Sequence, residues 1–150
     1  MLLEQAHRES EELLAELREV AWRAYPSALD SLGLPAALAG VAERSAVPVR
    51  VHIARELTLP APVATTAYFV VSEAVTNPVK HSGASRITVA VERPDGSVGI
   101  RVTDDGTGGA NPRGGGLSGL RSRVGALDGR MIVTSPPGGP TEITVEIPCA

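Results

Sequence analysis

Two alternating runs, Ile87 to Glu92 and Val98 to Val102, flank the tripeptide Pro94-Asp95-Gly96. A two-residue period is that of a half-buried strand. Asp-Gly between two such runs is a strong hairpin signal, because Gly supplies the left-handed backbone that a tight reversal needs. An antiparallel strand pair therefore lies near the middle of the chain, and the rest must pack on it. Val47, Val49, Val51 and Ile53 alternate with Pro48, Arg50 and His52 as a further half-buried strand, which places His52 in solvent. Met131 to Thr134 and Thr141 to Ile147 read as strands on either side of the turn Pro136-Pro-Gly-Gly-Pro140. Helical spacing appears from Val63 to about Lys80, through Ala67, Val71, Ala74 and Val75. Shorter helices are expected from about Pro35 to Arg44 and from about Leu117 to Leu127, the second ended by Gly129. Helices and mostly hairpin-linked strands in this order predict an α+β fold. Its form is a two-layer α/β sandwich with a mixed, mostly antiparallel sheet covered by helices.

A separate N-terminal helical extension is expected. From about Leu3 to Tyr25, Leu13, Leu17, Val20 and Ala24 recur at helical spacing among Glu11, Glu12, Glu16, Arg18 and Glu19, and Pro26 ends the run. Its apolar surface is too small to stand alone, so it would pair with another helix. The chain divides at residues 1–32 and 33–150, and 150 residues suit one domain with an appended helix. Aromatic residues are 3% of the chain, so the core must be built from Val, Ile, Leu and Ala. A net charge of −3 argues against a nucleic-acid partner. No run approaches the roughly 18 apolar residues of a membrane span. Glu4 and Glu9 stand where a signal peptide wants basic and apolar residues, so the simplest reading is cytoplasmic, without membrane contact. Cys149 is the sole cysteine, which excludes a disulfide framework or a metal knuckle.

Three segments carry chemistry. In Ser72-Glu-Ala-Val-Thr-Asn-Pro-Val-Lys-His-Ser82, Glu73, Asn77 and Lys80 project from one side of a helix. A carboxylate, an amide oxygen and an ammonium in line suit a hydrated divalent cation and the phosphates it bridges; a solvated helix face is the plainer alternative. In Val102-Thr-Asp-Asp-Gly-Thr-Gly-Gly109, two carboxylates at a strand end precede glycines that let a small molecule approach the backbone. One carboxylate can accept from an exocyclic amine, the handle that separates adenine from guanine; an ordinary Asp-Gly turn is the alternative. In Gly114-Gly-Gly-Leu-Ser-Gly-Leu-Arg-Ser-Arg123, a glycine cluster enters a helix, whose free N–H groups and positive end suit an anion. A flexible linker competes with that reading, but a regular helix follows.

These stretches, in this order, resemble the ATP-binding catalytic domain of two-component sensor histidine kinases, within the gyrase–chaperone–kinase–mismatch-repair ATPase superfamily. Ser72 to Ala84 is similar to the N box, Val102 to Ala110 to the first glycine box, and Gly114 to Val124 to the second. The ending from Pro137 to Pro148 is similar to the closing turn and strand. The short glycine-rich lid and the Gly-Leu-Arg-x-Arg-Val wording resemble the subfamily paired with helix-turn-helix response regulators. Tyr25-Pro-Ser-Ala-Leu-Asp-Ser-Leu-Gly-Leu resembles the stretch joining its dimerisation helices to the ATPase domain.

The resemblance implies a Bergerat-type ATPase fold, ATP and Mg2+ as cofactors, and dimerisation helices and a response regulator as partners. It implies that Asn77 ligates magnesium and that Glu73 polarises the catalytic centre or a water. Lys80 and His81 would contact phosphates, and Asp104 would accept from the adenine amino group. Gly106 and Gly108 would let the backbone approach the base. Gly114, Gly116, Leu117 and Gly119 would shape the lid, which runs from Thr107 to Gly115, and meet the phosphates. Two departures stand out. Pro78 lies inside the N-box helix, where a proline deletes a backbone hydrogen bond and costs about 3 kcal/mol in a helix interior. A kink there would displace Lys80 and His81. The family's phosphoacceptor motif, of Glu-Leu-His-Asp type, does not occur, so the receiving histidine is expected outside this chain. His7, in Ala-His-Arg-Glu, reads as a surface residue. A serine kinase of the anti-sigma type and a nucleotide-binding module without transfer activity remain as alternatives.

Overall fold

A computed structural model describes residues 29, 33–55, 57–81, 83–107 and 115–149, with the backbone alone at 77–81 and 115–116. The N-terminal helix expected from Leu3 to Tyr25 lies outside the described residues. Eight elements follow in order: α1 (Leu34–Arg44), β1 (Val49–Ile53), α2 (Ala61–His81), β2 (Ile87–Glu92), β3 (Ser97–Asp104), α3 (Gly115–Ala126), β4 (Arg130–Thr134) and β5 (Thr141–Pro148). The strands form one sheet in the order β1-β2-β3-β5-β4. β1 and β2 run parallel, joined through α2, and every other pairing is antiparallel. The expected α+β sandwich with a mixed, mostly antiparallel sheet is the fold observed.

The central hairpin forms as its residues require. Gly96 has φ 72°, and the Ser97 N–H donates to the Pro94 carbonyl at 3.0 Å, as in a type II turn with Gly at its third position. Inward positions of β2, β3 and β5 are Ile87, Val89, Val91, Val98, Ile100, Val102, Ile143, Val145 and Ile147, all buried. The three helices cover this face, α1 against β1, α2 over β3 and α3 along β4, with α2 between its neighbours. That central place explains why α2 is buried continuously from Thr66 to Val71. A helix enclosed on three sides loses its polar stripe. Each fully buried Val or Leu contributes about 1.5–3 kcal/mol, so many branched aliphatic side chains replace the missing aromatics. Among the described residues, no helix is long and apolar enough to cross a membrane.

Three boundaries differ from the sequence reading. β3 extends beyond Val102 to Asp104, which makes that carboxylate a strand residue on the helix-facing side. α2 continues through Pro78 to His81 without a break. Position 78 lies in the last turn, so a bend there displaces only the three residues that follow it in the helix. α3 begins at Gly115 rather than Leu117, because the two glycines already take helical conformation.

The end of α3 is also a correction. The left-handed residue is Asp128, with φ 59°, not Gly129. The Gly129 N–H donates to Val124 O at 2.9 Å and the Asp128 N–H to Gly125 O at 3.0 Å, the two bonds of a Schellman motif. Gly129 is required for a different reason. A Cβ there would lie 2.8 Å from the Glu146 carbonyl oxygen and 2.8 Å from Val124 Cγ1.

Candidate functional site

The topology gathers the three chemistry-bearing segments at one end of the sheet. β3 ends at Asp104, whose partners across the sheet are Ile87, the first residue of β2, and Thr141, the first of β5. α2 ends at His81, only four residues before Ser85, and so within about 14 Å of it. Ser85 in turn is bonded to Asp105. α3 leads through a tight turn into β4, whose first residue, Arg130, pairs with Glu146 near the opposite end. α3 has 12 residues and packs along β4, so it spans about 18 Å and starts near the Asp104 end.

Asp104 is the buried acid of this region, 4% exposed. It shares the inward parity of Val98, Ile100 and Val102 and accepts the Gly106 N–H on Oδ1 at 2.8 Å. Gly106 is buried and follows Asp104 by two residues, the spacing of an Asx turn. Glu73 is half-buried one turn before Asn77 on α2. Asn77, Lys80 and His81 occupy the last turns of that helix, and their side chains lie outside the description. Gly116 lies in the first turn of α3. Leu117 is buried in the core, so any ligand contact it makes comes from its backbone. Gly119 is exposed, with open space where a Cβ would stand. Gly108 and Gly114, and with them most of the expected lid, lie outside the described residues.

Asp105 is a residue whose part the sequence did not reveal. Its Oδ1 accepts the Ser85 N–H at 2.8 Å and the Arg86 N–H at 2.9 Å, and its Oδ2 accepts the Ser85 hydroxyl at 2.5 Å. The Asp105 N–H donates back to Arg86 O at 3.3 Å. The Ser85 hydroxyl first, then the Ser85 and Arg86 N–H groups, hold the carboxyl below its ordinary value of 3.8. A depressed folded-state value means that the charged form favours folding. This contribution is complete above the unfolded-chain value and is lost as pH falls through the folded one. Acid unfolding followed by circular dichroism from about pH 5 to about pH 2 should therefore be less pH-dependent in Asp105→Asn than in wild type. Identical slopes would refute the assignment.

Thr141 was also missed. It is 4% exposed, stands in register with Asp104 and shares a 2.6 Å hydroxyl bond with Ser135. A threonine opening an alternating strand at an inward position was the available signal. Arg121 and Arg123, part of the second glycine box, instead dock α3. Arg121 Nη1 donates to Met131 O at 2.9 Å, and the Arg123 guanidinium lies 4.4 Å from the Phe69 ring centroid on α2.

No group of three or more His, Cys, Asp or Glu able to hold a metal occurs among the described residues. Asn77, the expected magnesium ligand, brings one neutral amide oxygen, a donor that suits a cation held mainly by phosphates and water.

A family model described as "Histidine kinase-, DNA gyrase B-, and HSP90-like ATPase" matches residues 63–150. The chain is 31% identical over 147 residues to the sensor histidine kinase MctS of Rhizobium johnstonii, covering 90% of this chain and 32% of MctS. It is 30% identical over 144 residues to the histidine-protein kinase/phosphatase DegS of Brevibacillus brevis, covering 90% and 37%. The chain thus spans about a third of the length of these curated relatives. Among solved structures, the histidine kinase domain of a blue-light activated kinase from Erythrobacter litoralis superposes with a TM-score of 0.62 at 25% identity. That match covers 75% of this chain and 56% of the other.

Proposed function

This chain belongs to the histidine kinase-, DNA gyrase B- and HSP90-like ATPase family, as the ATPase domain of a sensor histidine kinase, and we propose that it binds Mg-ATP and delivers the γ-phosphoryl group to a histidine outside the chain. The observation that carries the reading is Asp104, a buried carboxylate at the end of the central strand where α2 ends and the glycine-rich segment begins. In this reading Asp104 accepts the exocyclic amine of adenine, and Gly106 keeps the backbone open to the base. Asn77 supplies a protein ligand to magnesium, and Lys80 and His81 meet the phosphates. The first turn of α3, at Gly116 and Leu117, offers backbone N–H groups to the same anion, with Gly108, Gly114 and Gly119 shaping its cover. Glu73 orients and polarises the receiving nitrogen. Magnesium, when bound with the triphosphate, neutralises its charge during transfer. Phosphoryl transfer asks little covalent chemistry of the protein, so positioning by these residues is the main contribution.

Residues 1–32 would continue into the dimerisation helices, and 33–150 would form the catalytic domain, working in the cytoplasm with a response regulator as the final acceptor. Incubating the chain with γ-labelled ATP and a separate dimerisation helix that carries a histidine tests the reading. Acid-labile label on that histidine is expected. Label on a partner serine, or nucleotide binding without transfer, would overturn it.

A further inference from the structure

Asp104 and Asp105 are adjacent acids with opposite surroundings. The first is buried on the helix-facing side of β3, whereas the second is exposed and bonded to the segment that leaves α2. Of residues 83–86 only Ala84 is buried, and Gly83 takes φ 62° with open space around it. Against this, one carboxylate accepts three hydrogen bonds from Ser85 and Arg86, and the Asp105 N–H closes a fourth onto Arg86 O. The connection from Ser85 back to the last residue of α2 is only four residues long. Whatever fixes Ser85 therefore restrains the last turn of α2 relative to the end of β3.

We propose that Asp105 is a positioning residue for the nucleotide site, latching the loop after α2 so that Asn77 and Asp104 meet opposite ends of one ligand. The proposal rests on the nucleotide reading given above. Asp105 touches neither base nor phosphate; it sets the distance between the residues that do. Its loss should spare the contact made by Asp104 and damage the contact made through the metal, which depends on where α2 ends.

The test is calorimetric titration of the full chain with ATP, with and without magnesium. Asp105→Ala is expected to bind metal-free ATP within about twofold of wild type and to bind Mg-ATP about tenfold more weakly. Asp105→Asn keeps a carbonyl acceptor for the two N–H groups and should restore Mg-ATP affinity to within about threefold. Hydrogen exchange at the Ser85 and Arg86 amides, without nucleotide, should quicken by about tenfold or more in Asp105→Ala. Should Asp105→Ala not fold, Ser85→Ala removes only the hydroxyl bond and should weaken Mg-ATP by about threefold with metal-free binding unchanged. Equal losses with and without magnesium, or wild-type magnesium dependence in a folded Asp105→Ala, would overturn the latch. A wild-type chain that takes up no ATP under either condition removes the nucleotide reading itself, and is recognised before any variant is compared.

Discussion

Asp104→Asn is expected to weaken Mg-ATP binding by about 100-fold, the range for losing a buried hydrogen bond to a charged acceptor and facing a donor with a donor. The substitution is nearly isosteric. Asparagine retains an Oδ1 that can accept the Gly106 N–H, now bonded at 2.8 Å, so the turn into the glycine-rich segment survives. What changes is the second polar atom, from an acceptor to an amide donor. Adenine presents an amine at this position and guanine a carbonyl. The variant should therefore lose ATP affinity while its relative preference for GTP rises. Parallel titrations with Mg-ATP and Mg-GTP measure both effects, and a thermal melt verifies that the fold is intact. Unchanged ATP affinity in a folded variant would remove Asp104 from the site.

The sequence revealed those parts of the molecule whose signal is local. Alternation in Ile87 to Glu92 located β2 to the residue, and Asp95-Gly96 located the hairpin. The expected helix from Val63 to Lys80 is α2, three residues longer, because apolar periodicity in a well-buried helix is strong. A strand-end carboxylate pair before glycines is a pattern within a few residues, and the family resemblance, not the pattern itself, pointed to Asp104 within it. Asp105 looked the same in that pattern. Its partners, Ser85 and Arg86, lie 20 and 19 residues away and become neighbours only once β2 pairs with β3. Thr141 reaches Asp104 by a still longer route, through the β3–β5 pairing. The contacts of the second glycine box's arginines were equally illegible, since Arg123 meets the face of Phe69 on α2 and Arg121 a strand carbonyl of β4.

Gly129→Ala is expected to destabilise the domain by about 3 kcal/mol, near the upper end for overpacking at a site that cannot relax. Two of the atoms its Cβ would meet are backbone carbonyl oxygens, Glu146 O at 2.8 Å and Val124 O at 3.0 Å, and the third is Cγ1 of the buried Val124. None is the end of a flexible side chain. Glu146 belongs to β5, paired on both sides, and Val124 O is the acceptor of the helix-ending bond. Relief would require α3 to tilt away from β5, which would also strain Arg121 on Met131 O and Arg123 on Phe69. Asp128→Gly should behave oppositely. Releasing a left-handed non-glycine residue recovers about 1–2 kcal/mol. The added unfolded-state freedom of glycine offsets about 0.4–1 kcal/mol of that, for a net gain of about 0.5 kcal/mol. Urea unfolding of the two variants separates torsional strain at 128 from steric closure at 129. A Gly129→Ala midpoint equal to wild type would mean that α3 does not seat against β5 as described. The first turn of α3 would then lose the anchor that holds it near the Asp104 end of the sheet.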